Sequence, residues 1–203
     1  MRKIMFNDRY GLTQAVIEGR KTMTRRLVPW ALTEQWMEFV SDAPSVGGVY
    51  VHESEKEFYE REAPRYKVGE VVAVAQSYRD VCAGGFEPDA TILRLFEEQR
   101  IAGWTNKMFT KAELMPYQIR ITGIKCERLQ DISDEDCFRE GISESWYEST
   151  DTTTYGYADE KKGTAVEFDT PRKAFATLID KVSGKGTWAR NPWVVVYEFE
   201  FVK

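Results

Sequence analysis

The chain has 203 residues, 42% hydrophobic and 13% aromatic, with a formal net charge of -5 at pH 7 and one histidine. That length is enough to bury one good core. The acidic balance excludes a protein that coats nucleic acid through its overall field, because such binding rests on Lys and Arg neutralising phosphates. Any nucleotide contact is therefore expected at a local basic site.

Cys82, Cys126 and Cys137 are odd in number, widely spaced and without a C-x-x-C pair. They read as reduced thiols of a cytoplasmic protein, with no disulfide framework, no metal site and no cofactor expected. His52 lies in a polar, Glu-rich stretch and reads as a surface residue, so Ser-His or Cys-His catalysis would rest on it alone. The N-terminal "MRKIMFNDRY" lacks a signal peptide's apolar run, and no run reaches membrane-spanning length. No membrane partner is expected.

Ile4 to Phe6 reads as a short first strand. Leu12, Ala15 and Val16 then recur at helical spacing, and Gly19 supplies the stop. A second helix is predicted over 34–40, with Thr33 as its cap and Trp36 and Phe39 on one side. The polar stretch 41–66 reads as an insertion or solvated hairpin. "KVGEVVAVAQSY" predicts a strand buried on both faces that emerges at Gln76. Ala90 to Arg100 is modestly helical, and the aromatic loop "AGWTNKMF" follows it. Tyr117 to Leu129 alternates like an antiparallel strand. "ISDEDCFREGI" predicts a helix capped by Ser133 and ended by Gly141. The stretch 149–166, rich in Thr, Tyr and Gly, reads as a flexible loop. Thr170 and Pro171 open a helix that Gly184 closes, and "NPWVVVYEFEF" reads as a closing strand. Several strands and short helices in mixed order predict one α+β domain spanning 1–203, built round a curved sheet or small barrel. The polar stretches at about 41–66 and 149–166 would be its insertions.

The segment "GRKTMTRR", Gly19 to Arg26, gathers four basic residues and two threonines where a helix ends. On composition alone it is a solvated basic loop, since Lys and Arg also suit a helix C-terminus. Gly19, Lys21, Thr24 and Arg26 match the pattern G-x-K-x-x-T-x-R, and with "GEVVAVAQSY", "CERLQDISDEDCFREGI" and "ARNPWVVVYEFEF" the chain resembles the ASCH domain family, especially its phage-associated members. The resemblance runs from Ile4 to Val202 and implies a PUA-like β-barrel with flanking short helices.

PUA-like domains commonly bind RNA, and ASCH relatives include an amidohydrolase of an acetylated cytidine and members that cleave RNA. The resemblance therefore implies a cleft for RNA, a nucleotide or a modified nucleoside, lined by Gly19, Lys21, Thr24, Arg26, Gln76 and Tyr78. The alternative it implies is a metal-independent hydrolase of an acylated nucleoside or of RNA. In the amidohydrolase branch the catalytic group is the motif lysine, the motif threonine and a glutamate ending the second strand. Lys21 and Thr24 match the first two, whereas Gln76 stands where the glutamate would be, and Tyr78 stands where tryptophan is frequent. An amide orients but does not exchange protons, so Gln76 is cast as a positioning group, with Glu70 and Asp80 as substitute carboxylates nearby. Arg20 and Arg25 are expected to face outward. Trp104, Asn106 and Lys107 are candidates to stack on a base and read its edge, with loop packing the alternative for Trp104. Replacing Lys21 or Arg26 by Ala is expected to weaken ligand binding without unfolding the chain.

Overall fold

The computed structural model describes residues 1–43, 45–46, 49–50, 53–83 and 102–202. The helix expected over 90–100 and His52 lie outside these residues. The architecture is α+β, and its centre is a five-stranded mixed sheet. The strands are β1 (Lys3–Ile4), β2 (Met23–Leu27), β5 (Val71–Val74), β6 (Gln118–Arg128) and β10 (Trp193–Phe201), in the order β1-β5-β6-β10-β2. β1 runs parallel to β5, and the other pairs are antiparallel.

The sheet is held by strands whose residues are apolar on both faces. Val72, Ala73 and Val74 of β5 and Val194 to Val196 of β10 are all buried, as a continuous β-branched run requires. A register shift between Glu198 and Phe199, opposite Gly123 and Ile121, leaves Thr122 of β6 as an extra residue, a bulge in that strand. The hydrogen-bonded ladder is open: β1 and β2 are its two edges. The Arg26 guanidinium, on β2, donates to the carbonyl of Met5 just past β1, so a side chain spans the seam between the edges.

Helices cover the sheet where their apolar stripes meet it. α1 (Leu12–Ile17) buries Leu12, Ala15 and Val16, the residues at helical spacing. α2 (Trp30–Ser41) starts before the expected boundary and buries none of its residues. The stretch after it holds the hairpin that was one of its expected forms, and a helix that was not expected. A two-stranded hairpin, β3 (Ser45–Val46) and β4 (Val49–Tyr50), is followed by α3 (Glu55–Glu62), which carries Phe58 and Tyr59 into the core. Its many glutamates hid it, yet Ser54 and Glu57 form a reciprocal capping box, which is a helix-start signal.

After β5 comes α4 (Tyr78–Ala83), and after β6 comes α5 (Asp134–Arg139), whose cap Ser133 accepts from Asp136 N–H as the sequence predicts. The expected flexible loop at 149–166 is instead two strands of a second sheet: β7 (Ser143–Tyr147), β8 (Thr152–Asp159) and β9 (Thr164–Phe168) pair in that order. Thr and Tyr suit a pleated surface, and Tyr157 is fully buried, so β propensity outweighed the loop-like polarity. α6 (Pro171–Ser183) packs against this sheet and buries Ala174, Phe175 and Leu178, with Thr170 capping it. α7 (Thr187–Arg190) leads into β10. No helix among the described residues is long and apolar enough to cross a membrane.

Candidate functional site

The basic segment is folded inward by backbone anchors. Gly19, at φ +73°, ends α1, and Lys21 N–H then turns back to the carbonyl of Ala15 at 2.9 Å. Thr22 N–H donates to the carbonyl of Arg139 at 2.9 Å, tying the segment to the end of α5. Gly141, just past α5, has φ +102°. L side chains rarely adopt that φ, and a Cβ there would also lie 3.3 Å from Leu12 Cδ2, so glycine suits the turn beside Lys21. The Lys21 side chain consequently runs into the protein, and the residue is 2% exposed.

Its partner is Glu140, a residue the sequence reading passed over. Lys21 Nζ donates to Glu140 Oε2 at 2.6 Å and to the Glu140 carbonyl at 2.7 Å. Glu140 Oε1 accepts from Arg25 Nη1 at 3.1 Å. The expectation that Arg25 faces outward is overturned: it is 5% exposed, and its Nη2 reaches Glu127 at 2.6 Å and Asp136 at 2.7 Å. Its position on β2 faces those carboxylates across the sheet, and a buried guanidinium needs such partners. Arg20 is exposed, as expected, and pairs with Glu18.

These surroundings set the protonation chemistry. Burial pushes the Lys21 ammonium below its ordinary value, against the opposing pull of Glu140. Burial also acts to lower Arg25, but Glu140, Glu127 and Asp136 outweigh it and hold that cation up. Arg26 is lowered by burial, which Glu140 only partly offsets.

Thr24 and Arg26 lie on the opposite face of β2 from Arg25 by strand alternation. Arg26 lies over the Phe6 ring, 5.7 Å from its centroid, and Lys21 Nζ lies 5.8 Å from the same ring. A cleft of about 300 Å³ opens here. Lys21, Thr24, Arg25, Arg26 and Glu140 are on its polar side, with Asn7 and Ser183 at its edge, and Phe175 and Leu178 of α6 stand among its apolar lining. Among the described residues the Thr24 hydroxyl makes no hydrogen bond, although the residue is 5% exposed.

The remaining candidates lie elsewhere. Gly19 stops α1 and does not line the cleft. Gln76 lines a separate cavity with Gln14, Asp80 and Tyr117, and its buried Oε1 has no hydrogen-bond partner among the described residues. Tyr78 is buried, and its hydroxyl accepts from Lys111 N–H at 3.0 Å. Trp104 packs against the small apolar cluster of Ala73, Tyr78 and Met115. Asn106 caps a short turn by accepting from Met108 N–H at 3.0 Å. Lys107 joins the end of β1 to α1, donating to the Phe6 carbonyl and to Asp8 at 2.7 Å. Of the substitute carboxylates, Glu70 pairs with Arg2 and Asp80 accepts from Ser77.

The structure thus unites Lys21, Thr24 and Arg26 and separates them from Gln76. It adds Glu140, Phe6 and the α6 wall. The sequence signal for Glu140 was its place directly before a helix-ending glycine, which reads as punctuation until the tertiary fold brings Lys21 to it. Among the described residues no group of three or more His, Cys, Asp or Glu side chains is arranged to hold a metal ion. The buried thiols of Cys126 and Cys137 are each pushed up to about 12 by burial, so they are not nucleophiles near neutral pH. No protein-family model, curated protein or solved structure matches the chain.

Proposed function

We propose that the protein is a PUA-like, ASCH-type domain that binds RNA, a nucleotide or a modified nucleoside, with the base in the cleft of Lys21, Thr24 and Arg26. The observation that carries this reading is the charge balance of the cleft. Lys21 and Arg25 are both compensated by Glu140, so the polar side offers hydrogen bonds without a large net field. Thr24 supplies an unspent hydroxyl, Arg26 a planar fork, and α6 an apolar wall. A flat heterocycle with polar edges and apolar faces fits those demands. The open sheet, bridged by Arg26, is consistent with a small barrel closed at one seam by a side chain.

A second reading, hydrolysis of an acylated nucleoside, is favoured by one specific feature. The carboxylate that Gln76 does not supply is present as Glu140, 2.6 Å from Lys21 Nζ. Adding water across an amide C–N bond takes one proton from the water and delivers one to the departing amine. Glu140 and Lys21 are a carboxylate and an ammonium able to do those two tasks.

The test is calorimetric titration of nucleosides, including N-acylated cytidine, together with mass spectrometry of the same mixtures. Binding that Thr24→Val weakens, with the ligand recovered intact, supports the binding domain. Conversion by the wild type, lost in Glu140→Gln that circular dichroism shows to be folded at the assay temperature, establishes the hydrolase. Gln76→Glu is expected to leave both readouts unchanged, since Gln76 lines another cavity. Neither binding nor conversion by any member would overturn both readings.

A further inference from the structure

A second cavity, of about 410 Å³, lies on the other side of Arg26. Arg26 lines both cavities, and the new one adds Lys3, Arg65, Tyr66 and Tyr197. No acidic side chain is among its described lining residues. The Arg65 side chain is exposed, stands over the Tyr66 ring at 5.9 Å, and has no carboxylate partner among the described residues. Glu70, the carboxylate that acts on Tyr66 from nearby, is already bound by Arg2. Lys3 spends its donors on the carbonyls of Lys107, Met108 and Thr110. The backbone frame is fixed: Tyr197 OH accepts from Arg65 N–H at 2.7 Å, and Tyr66 OH donates to the Lys3 carbonyl at 2.9 Å.

The two cavities therefore differ in charge. The first is compensated by Glu140, and the second carries cations without an acid. Resting on the base-binding reading above, we propose that the second cavity is an anion subsite for a phosphate joined to the nucleoside, with Arg65 as its primary contact and Arg26 as the shared wall. Two guanidiniums facing one small cavity suit the tetrahedral, multiply accepting oxygens of phosphate. The ligand class is then a nucleotide or a phosphodiester of RNA, which present the same phosphate chemistry.

The experiment separates the subsite from the base cleft. Inorganic phosphate is titrated into isotope-labelled wild type and Arg65→Ala, with arginine side-chain and neighbouring amide resonances followed by NMR. Arg65 is exposed, so the variant is expected to fold. The expected result is a saturable shift at Arg65, Tyr66 and Met108 that the variant lacks; no saturable shift in the wild type overturns the proposal. In a second arm, nucleosides and their 5′-monophosphates are compared by calorimetry. The monophosphate is expected to bind about tenfold tighter, with the advantage lost in Arg65→Ala and the salt slope reduced by about 1. Equal affinity for both overturns the linkage of the two sites. Phosphate shifts at Arg65 without any ligand response at Thr24 overturn the nucleotide assignment through the base cleft alone. Dinucleoside monophosphates identify the source: an Arg65-dependent gain confined to them means RNA, and one confined to the monophosphates means a free nucleotide.

Discussion

Arg25 and Arg26 are neighbours in the chain and meet opposite fates. Arg25 is enclosed by Glu127, Asp136 and Glu140, with its donors bonded to fixed acceptors. Arg26 faces two cavities and, among the described residues, makes one hydrogen bond, to the Met5 carbonyl. Strand alternation places them on different faces, and what each face packs against decides whether the same side chain becomes part of the scaffold or of the site. A basic cluster in sequence is thus two things in space. Both arginines line the first cleft, but the donors of Arg25 are held by carboxylates.

The comparison is broken most sharply at Glu140, which serves both sides. Glu140→Gln would leave two buried cations undercompensated, and removing one partner of a buried pair costs about 3–5 kcal/mol. Urea unfolding should show that loss; an unchanged midpoint would mean that Arg25 and Lys21 are solvated. The same logic revises the expectation for Lys21→Ala, which should weaken the fold as well as the ligand site.

Lys21 also gives the enclosed side a pH signature. Folding lowers its pKa from the ordinary 10.5, so in the window below 10.5 the unfolded chain binds more protons than the folded one. Stability contributed by Lys21 therefore rises with pH across that window. Other groups titrate there too, so the observable is the difference between wild type and Lys21→Met, measured by urea unfolding from neutral pH to pH 10. That difference should grow in favour of the wild type, and a flat difference would show an unshifted lysine.

On the open side, Thr24→Val keeps the shape and removes a hydroxyl with no described partner. Its unfolding free energy should stay within about 0.5 kcal/mol of wild type, while nucleoside affinity falls several-fold, as loss of one hydrogen bond implies. A large destabilisation would place Thr24 with the scaffold. The smallest effect belongs to a buried polar group on neither side. Tyr157 OH has no hydrogen-bond partner among the described residues, and burial raises that phenol to about 12. Tyr157→Phe should be neutral or stabilising by up to about 1 kcal/mol, measured by thermal unfolding, because it relieves an unsatisfied hydroxyl.

Legibility in the sequence followed the strength of local signals. Ser133 and Thr170 were readable as caps because the side-chain oxygen and the backbone N–H it serves are three residues apart. β6 and β10 were readable from alternation and β-branched runs. α3 was missed because its core residues, Phe58 and Tyr59, are few among glutamates. β8 and β9 were missed because Thr and Gly also occur in loops, and only pairing with β7 gives them a sheet to join. Lys21, Thr24 and Arg26 were singled out through the motif, yet Gln76 was placed beside them by analogy and lies in another cavity.

By itself the sequence determined the α+β class, the strands β5, β6 and β10, the limits of α1, α5 and α6 and the presence of a concentrated basic segment, because each depends on residues close in the chain; that the basic segment is itself the edge strand β2 it did not determine. The tertiary structure alone decided that Glu140, 119 positions from Lys21, completes the cluster. It also turned Arg25 inward and left Arg26 between two cavities. Those outcomes depend on which surfaces meet when the sheet curls and α5 docks, and hydrogen-bond satisfaction of buried charge is a property of that meeting rather than of any local stretch.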